Sequence, residues 1–400
     1  MIIMEKKYFI TTFGCQANRA DSENIAGMLE VLGMSEAASL FEATLIIINT
    51  CSVRQASEDK VYGLANKIKE LRSKNSQLRT VLTGCLVGSA TSERPRMKLG
   101  FLKRKMPWVD YYLNVNELAS LPSYLLNSGF VDEWTVKAVN VSHRTPGVKN
   151  VVWTPKFSDH EGAAYINISQ GCDNFCTFCV VPYARGAEIS RSQEEILREV
   201  KRAVGLGFSE IMLLGQNVNS WGLTPEKKLM SRKHLGIIPF AALLRKVHDT
   251  EGVRKIKFIT SNPFDFSADL VGALRMPKID RYLHLPVQSG DNEILKKMGR
   301  RHTREDYLEL VREIRETVPE IELGTDVIVG FPGENEKQFL NTVDLVRKVQ
   351  FNVLFVAIYS PRPGTTSAKI YKDDVPLFEK RRRHAYLTQV WKSLKKGLID

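Results

Sequence analysis

The sequence predicts an α/β protein: an N-terminal domain on a parallel sheet, then a connector and a partial barrel of six strand–helix units. Three observations predict it. Short apolar, β-branched runs alternate along nearly the whole chain with stretches whose apolar residues recur every three or four positions. The clearest early strand, TLIIINT at 44–50, is apolar throughout, as in a sheet buried on both faces. After residue 163 the alternation supplies six further strands, short of the eight that close a barrel.

In order along the chain, YFITTF (8–13) is the first strand and leads into Gly14 and Cys15. A helix follows, with Asp21 or Ser22 as its N-cap, Ile25, Met28 and Leu32 at helical spacing, and Gly33 as its stop. TLIIINT runs directly into Cys51, and one long helix is expected next, with Val61, Leu64, Ile68 and Leu71 on a single stripe. RTVLTG (79–84) is the third strand and runs into Cys85; YYLNV (111–115) is the fourth, and a helix around 116–127 completes a domain over 1–130. Parallel strands bring their C-terminal ends to one edge, where α/β sheets bind ligands. Cys15, Cys51 and Cys85 are therefore expected to be neighbours in space.

Residues 131–163 read as a connector of mixed polarity with little periodicity. The barrel spans 164–378. Its strands are AYINIS (164–169), EIMLLG (210–215), KIKFIT (255–260), RYLHLPV (281–287), GTDVIVG (324–330) and VLFVAIYS (353–360). Helices are expected from Ser192, where Ser192 and Glu195 make a capping box, and near 238–250, 303–317 and 335–349. Residues 379–400 read as a basic C-terminal helix.

With 43% hydrophobic and 26% charged residues among 400, the composition is that of a globular enzyme. No apolar run approaches the roughly 18 residues of a membrane span, and the first residues lack the layout of a secretory signal; a cytoplasmic location is expected. The net charge of +12 favours polyanionic partners such as RNA. The densest basic stretches are ERPRMKLGFLKRK (93–105), EKRRRH (379–384) and KSLKK (392–396). In a reducing compartment, six cysteines point to metal or redox chemistry rather than disulfides.

The second cysteine set lies in QGCDNFCTFCVVPYARG (170–186): Cys172, Cys176 and Cys179, spaced C-x-x-x-C-x-x-C. A closed zinc site takes four ligands, and this loop offers three thiols and no histidine. Three thiolates suit a cubane iron–sulfur cluster whose fourth iron stays open to a non-protein ligand. A structural zinc or a chance cluster is the alternative.

At these residues the sequence resembles the radical S-adenosylmethionine (SAM) enzymes, and more narrowly the methylthiotransferases. The likeness covers nearly the whole chain. It rests on the cysteine loop with Phe178 before its third cysteine, on TFGCQANRADSE, INTCSVRQASEDKV and LTGC in the N-terminal domain, and on LLGQNVNSWG, HLPVQSGD and TDVIVGFPGE in the barrel. NTCSVR, FCVVPYARG and LLGQNVN most resemble the branch acting on the tRNA adenosine beside the anticodon, the MiaB type.

The resemblance implies a radical SAM barrel in which Cys172, Cys176 and Cys179 hold a 4Fe-4S cluster whose open iron chelates SAM. It implies a second 4Fe-4S cluster, also with an open iron, on Cys15, Cys51 and Cys85. It implies reductive cleavage of SAM to a 5′-deoxyadenosyl radical, and methylthiolation of carbon 2 of N6-isopentenyladenosine at tRNA position 37. A reductant protein such as flavodoxin or ferredoxin and a sulfur donor are the implied further partners. The same chemistry on a threonylcarbamoyl-adenosine tRNA or a ribosomal protein is the alternative target. A non-catalytic iron–sulfur electron-transfer or RNA-binding protein is the alternative class.

Phe178 is expected beside the adenine of SAM, against a reading as core packing. Gln216 and Gln288, each at a strand end, are expected to contact cofactor or base, against a reading as loop residues satisfying backbone groups. Arg185 contacts an anion or is solvated. Residues 330–333 read as a turn, and His284 as structural. No side chain is assigned as a catalytic acid or base. The family's small C-terminal β-barrel, the TRAM domain that helps hold tRNA, is not read here; the basic stretches 93–105 and 379–396 are the expected substitutes. An aromatic- and arginine-lined mouth is expected where an adenine leaves its stack.

Overall fold

The computed structural model describes residues 6–53, 55–131, 154–158, 160, 162–259 and 261–397. The chain forms two compact units: Met1–Ser158 with Val180–Ala187, and Asp159–Cys179 with Glu188–Asp400. Most of the expected connector lies outside the described residues.

The first unit is a five-stranded parallel sheet in the order β2-β1-β3-β4-β5: β1 Lys7–Phe13, β2 Ser35–Glu36, β3 Leu45–Thr50, β4 Arg79–Gly84 and β5 Tyr111–Tyr112. Period-two alternation along β3 sends Leu45 and Ile47 into one core and Ile46 and Ile48 into another. The first core is closed by Ile25, Met28 and Leu29 of the helix Gln16–Val31 and by Leu121 and Leu125 of Ser120–Asn127. The second is closed by Ile68, Leu71 and Leu86 from helices on the opposite face. A sheet covered on both faces is what the continuous apolar run of β3 requires.

The N-terminal elements depart from the sequence reading in four places. The helix after β1 begins at Gln16 with Cys15 as its N-cap, five residues before Asp21. The chain leaves β1 at Phe13, and the Cys15 carbonyl already accepts the Arg19 N–H at 3.1 Å, so the first helical bond closes there. Asp21 and Ser22 are buried inside the helix. The expected long helix is two, Gln55–Tyr62 and Ala65–Lys74, parted at Gly63 and Leu64. The fourth expected strand shrinks to β5, and the two-residue β2 joins the edge beside β1.

The second unit carries six parallel strands in chain order: β6 Ala163–Asn167, β9 Glu210–Leu214, β10 Lys255–Phe258, β11 Tyr282–His284, β12 Glu322–Val329 and β13 Val353–Ile358. They form two three-stranded sheets, β6-β9-β10 and β11-β12-β13. Among the described residues a parallel bridge between Ile256 of β10 and Ile279, just ahead of β11, connects them, with Ile256 N–H on Lys278 O at 2.7 Å. This is the open six-stranded barrel the sequence predicted. A short antiparallel pair, β7 Ser169–Gln170 and β8 Ile189–Ser190, brackets the cysteine loop. Helices cover the strands at Gln193–Gly205, Pro239–His248, Arg304–Thr317 and Glu336–Val349, and the first starts on the Ser192–Glu195 capping box. The basic helix Leu377–Gly397 packs on β13 and Glu336–Val349. Among the described residues no helix is long and apolar enough to cross a membrane.

Candidate functional site

In the first unit, the last residues of three strands stand in one row. Phe13 pairs with Thr50, and Thr50 with Gly84. Cys51 and Cys85 follow directly, and Cys15 follows after Gly14, so the register delivers all three thiols to one sheet edge. Gly84 has φ +91°, and a Cβ there would lie 2.4 Å from both Asn49 Oδ1 and Thr50 O. Only glycine turns the chain tightly enough to start the helix Cys85–Thr91 on Cys85.

Asn49 fixes the rest of the edge. Fully buried, its Nδ2 donates to Asn18 O at 2.7 Å and Ser22 Oγ at 3.0 Å, and its Oδ1 accepts from Asn18 Nδ2 at 2.9 Å. Asn18 Oδ1 accepts the Cys15 N–H at 3.4 Å. The end of β3 is thereby tied to the turn carrying Cys15. Cys51 Sγ accepts the Val53 N–H at 3.3 Å. Behind it, Ser52, Ser89 and the buried pair Arg96–Glu58 (3.3 Å) link the loop after Cys51 to the helix after Cys85.

Interaction between the neighbouring Cys51 and Cys85 thiols raises Cys51 and lowers Cys85, and the nearby Arg185 further favours the Cys85 thiolate. Cys15 is exposed as a residue, yet packing around its sulfur and the neighbouring Cys85 charge push its thiol up against the pull of Arg185. Arg185 is buried, not solvated. Its Nη2 meets Asp21 Oδ2 at 2.6 Å and its Nε lies 3.3 Å from Cys85 Sγ. Sequence reasoning missed Asn49 and this role of Arg185; the signal available was a polar residue inside an otherwise apolar strand.

In the second unit, Cys172, Cys176 and Cys179 share the loop after β7. Burial, then the charges of Cys179 and Cys176, push the Cys172 thiol up. The loop is held from several sides. Gly171 N–H donates to Gln216 Oε1 at 2.6 Å, Thr177 N–H to Met298 O at 2.9 Å, and Ser367 N–H to Thr177 O at 2.8 Å. Arg300 Nη1 lies 3.5 Å from Cys176 Sγ, and Arg301 Nη2 donates to Asn174 Oδ1 at 2.8 Å. Lys228 bridges Asp173 (2.9 Å) and Glu188 (3.1 Å) beside the loop.

Gln216 thus anchors the loop backbone. Phe178 is half-buried against Ile294, Met298, Phe331 and Tyr359. Gln288, four residues past β11, stands in the left-handed region at φ +73° and bridges to β12, its N–H on Asp326 O and its carbonyl accepting the Ile328 N–H, each 2.9 Å. Such a conformation costs roughly 1–2 kcal/mol for a non-glycine residue and concentrates at functional sites. Residues 330–333 make the expected turn, with positive φ at both glycines. His284 lies in β11 with Nε2 2.8 Å from Asp326 and Nδ1 3.2 Å from Tyr282 OH.

Both donor sets fit iron–sulfur clusters: each is three thiols with no fourth cysteine. Among the described residues no group of three His, Cys, Asp or Glu side chains is arranged for a single metal ion. In the segments after β6, β9 and β10, Ser169 Oγ, Asn217 Oδ1 and Ser261 Oγ are buried without a hydrogen-bond partner, as is Arg300 Nε. Buried polar groups are ordinarily paired, which makes these atoms candidates for contact with a polar ligand. Arg301 stacks 4.0 Å above Phe264. The basic stretches are less free than expected: Arg96, Lys380 and Arg383 are buried, whereas Arg94, Lys98, Lys103, Arg104, Lys105, Arg381, Arg382, Lys392, Lys395 and Lys396 are exposed.

Residues 166–346 match the Radical SAM superfamily, and residues 7–99 match Uncharacterized protein family UPF0004. The tRNA-2-methylthio-N(6)-dimethylallyladenosine synthase of Thermoanaerobacter sp. (strain X514) is 40% identical over 91% of this chain and 73% of that protein. Its namesakes from Clostridium botulinum (strain Hall) and Caldicellulosiruptor saccharolyticus are 39% and 41% identical over 96% of this chain and 81% and 78% of theirs. Among solved structures, the radical S-adenosylmethionine methyltransferase TsrM from Kitasatospora setae, with cobalamin and a 4Fe-4S cluster bound, superposes with TM-score 0.61 at 16% identity, over 91% of this chain and 77% of that one. The cobalamin-dependent S-adenosylmethionine radical enzyme OxsB gives 0.55 at 14%, over 98% and 56%. These likenesses show the fold. The two thiol triads, the open barrel and the sequence identity over most of its length agree: the chain belongs to the radical SAM methylthiotransferase family, among the tRNA-2-methylthio-N(6)-dimethylallyladenosine synthases.

Proposed function

We infer that this chain is a radical SAM tRNA methylthiotransferase that adds a methylthio group to carbon 2 of N6-isopentenyladenosine at position 37, using two 4Fe-4S clusters and SAM. One observation carries the reading: six cysteines fall into two sets of three, one delivered by the register of β1, β3 and β4 and one by a single loop, with no cysteine left over. When bound, the clusters and SAM would supply one-electron cleavage, the methyl group and a site that handles the sulfur brought by a separate donor. Cys15, Cys51 and Cys85 would hold one cluster; Cys172, Cys176 and Cys179 the other.

The chain's own work is holding and orienting. Gln216 fixes the start of the cluster loop, and the Met298 and Ser367 backbones fix its middle. Phe178 offers an apolar wall at the loop for the adenine of SAM. The unpaired Ser169, Asn217, Ser261 and Arg300 atoms supply hydrogen bonds to the polar parts of SAM, and Gln288 presents its amide at the same strand ends. The exposed basic side chains favour a polyanion, which supports tRNA as substrate. A flavodoxin- or ferredoxin-type reductant, a separate sulfur donor and a cytoplasmic location complete the reading.

The test is nucleoside analysis of tRNA from a strain lacking its own enzyme of this kind, with and without this chain. Appearance of the 2-methylthio nucleoside at the expense of N6-isopentenyladenosine supports the reading. Persistence of the unmodified nucleoside, with the chain expressed and its iron loaded, overturns it.

A further inference from the structure

Arg185 stands out among buried charges. Only 3% exposed, it comes from the short helix Val181–Ala184 and the turn after it, which pack within the first unit. The segment is seated closely. Ser92 Oγ donates to Tyr183 O at 2.5 Å, Asn116 Nδ2 donates to Arg185 O at 3.0 Å, and Gly88 lets the helix Cys85–Thr91 approach the Ala184 carbonyl. The guanidinium is divided between two partners. Nη2 takes the Asp21 carboxylate at 2.6 Å, and Nε–H is left for Cys85 Sγ at 3.3 Å. Asp21 is 5% exposed and comes from the helix that Cys15 caps. A buried ion pair is weak evidence of stabilisation by itself, and this one is aimed at a thiol.

We propose that Arg185, oriented by Asp21, is a positioning residue that sets the reduction potential of the cluster held by Cys15, Cys51 and Cys85, through an N–H···S hydrogen bond to Cys85 and a fixed charge beside the cluster. The inference rests on the cluster assignment above. Hydrogen bonds to cluster sulfurs and local net charge are the main protein levers on such potentials. Each electron added makes the cluster more negative. A fixed guanidinium then favours the reduced form, and the Asp21 carboxylate offsets part of that charge. The two residues therefore act in opposite directions: losing the arginine lowers the potential, and losing the carboxylate raises it. A charge-assisted hydrogen bond is worth about tenfold or more in an equilibrium, so each shift should reach about 59 mV for one electron.

The experiment uses the full chain carrying Cys172→Ala, Cys176→Ala and Cys179→Ala, reconstituted anaerobically, so that only the N-terminal cluster is read by EPR-monitored redox titration. Arg185→Gln should lower the midpoint and Asp21→Asn should raise it. Arg185→Lys, which keeps the charge and loses the fork, should fall between Arg185→Gln and the parent. If Arg185→Gln does not retain its cluster, Asp21→Asn and Arg185→Lys still decide. Unchanged midpoints, or shifts of one sign for loss of either residue, overturn the proposal and leave a purely structural pair. Absence of iron from the parent chain would instead overturn the cluster assignment.

Discussion

Gly88→Ala is a direct way to part the 180–187 segment from the helix Cys85–Thr91 within the first unit. A Cβ at Gly88 would lie 1.8 Å from Ala184 O and 2.9 Å from its carbonyl carbon, and both are backbone atoms with no rotamer to yield. Reaching van der Waals contact requires the two backbones to part by roughly 1.5 Å or more. That movement carries Arg185 Nε away from Cys85, and with it the 3.3 Å contact. Overpacking of this kind costs about 1–3 kcal/mol, toward the upper end if the Arg185–Asp21 pair opens as well. Hydrogen–deuterium exchange on peptides covering 85–91 and 180–187 reads the effect locally, as a roughly 5- to 150-fold loss of protection. Gly272→Ala is the control: Gly272 lies in a helix with open space around its Cβ position, and alanine there should protect its helix by up to ~1 kcal/mol. Wild-type exchange in both peptides of Gly88→Ala would refute the packing that seats Arg185.

Further outcomes follow from other contacts. Gln216→Ala leaves the Gly171 N–H without its acceptor, costing about 1–3 kcal/mol; faster exchange confined to residues 170–179 and weaker SAM binding by calorimetry are expected. Arg383→Met strands the buried Glu334 carboxylate, 2.9 Å from the lost guanidinium; urea unfolding should show a loss of about 3–5 kcal/mol. Burial, then the Arg300 charge, hold His302 well below the ordinary imidazole value of 6.5. The unfolded chain therefore binds a proton that the fold refuses: stability is full above pH 6.5 and falls with acidification, by about 1.4 kcal/mol per pH unit. Comparing urea midpoints at pH 5 and 7 should show that His302→Gln flattens this slope.

Much of this was legible in the residues. β4 falls at the predicted 79–84, and the barrel helices near 303–317 and 335–349 lie within a residue of prediction, because long amphipathic stripes and capping boxes are local signals. The gathering of Cys15, Cys51 and Cys85 followed from strand ends alone, since parallel register needs no tertiary detail. What was not legible depends on contacts distant in sequence. Asp21 and Ser22 resemble helix caps; only a partner 164 residues away, Arg185, shows why Asp21 sits inside the helix. The break at Gly63 and Leu64 was hidden because Val61, Ile68 and Leu71 still share one core across it. Lys380 and Arg383 counted as surface charge in the basic C-terminal stretch, yet the first reaches Tyr359 O and Asp373 and the second the Glu334 carboxylate.

If each cysteine triad carries its own cluster, iron and acid-labile sulfide analysis of the anaerobically reconstituted chain must show both. About eight irons per chain are predicted for the parent, and about four when either triad is replaced by alanine. About four irons in the parent, with no further loss on replacing Cys15, Cys51 and Cys85, would contradict it.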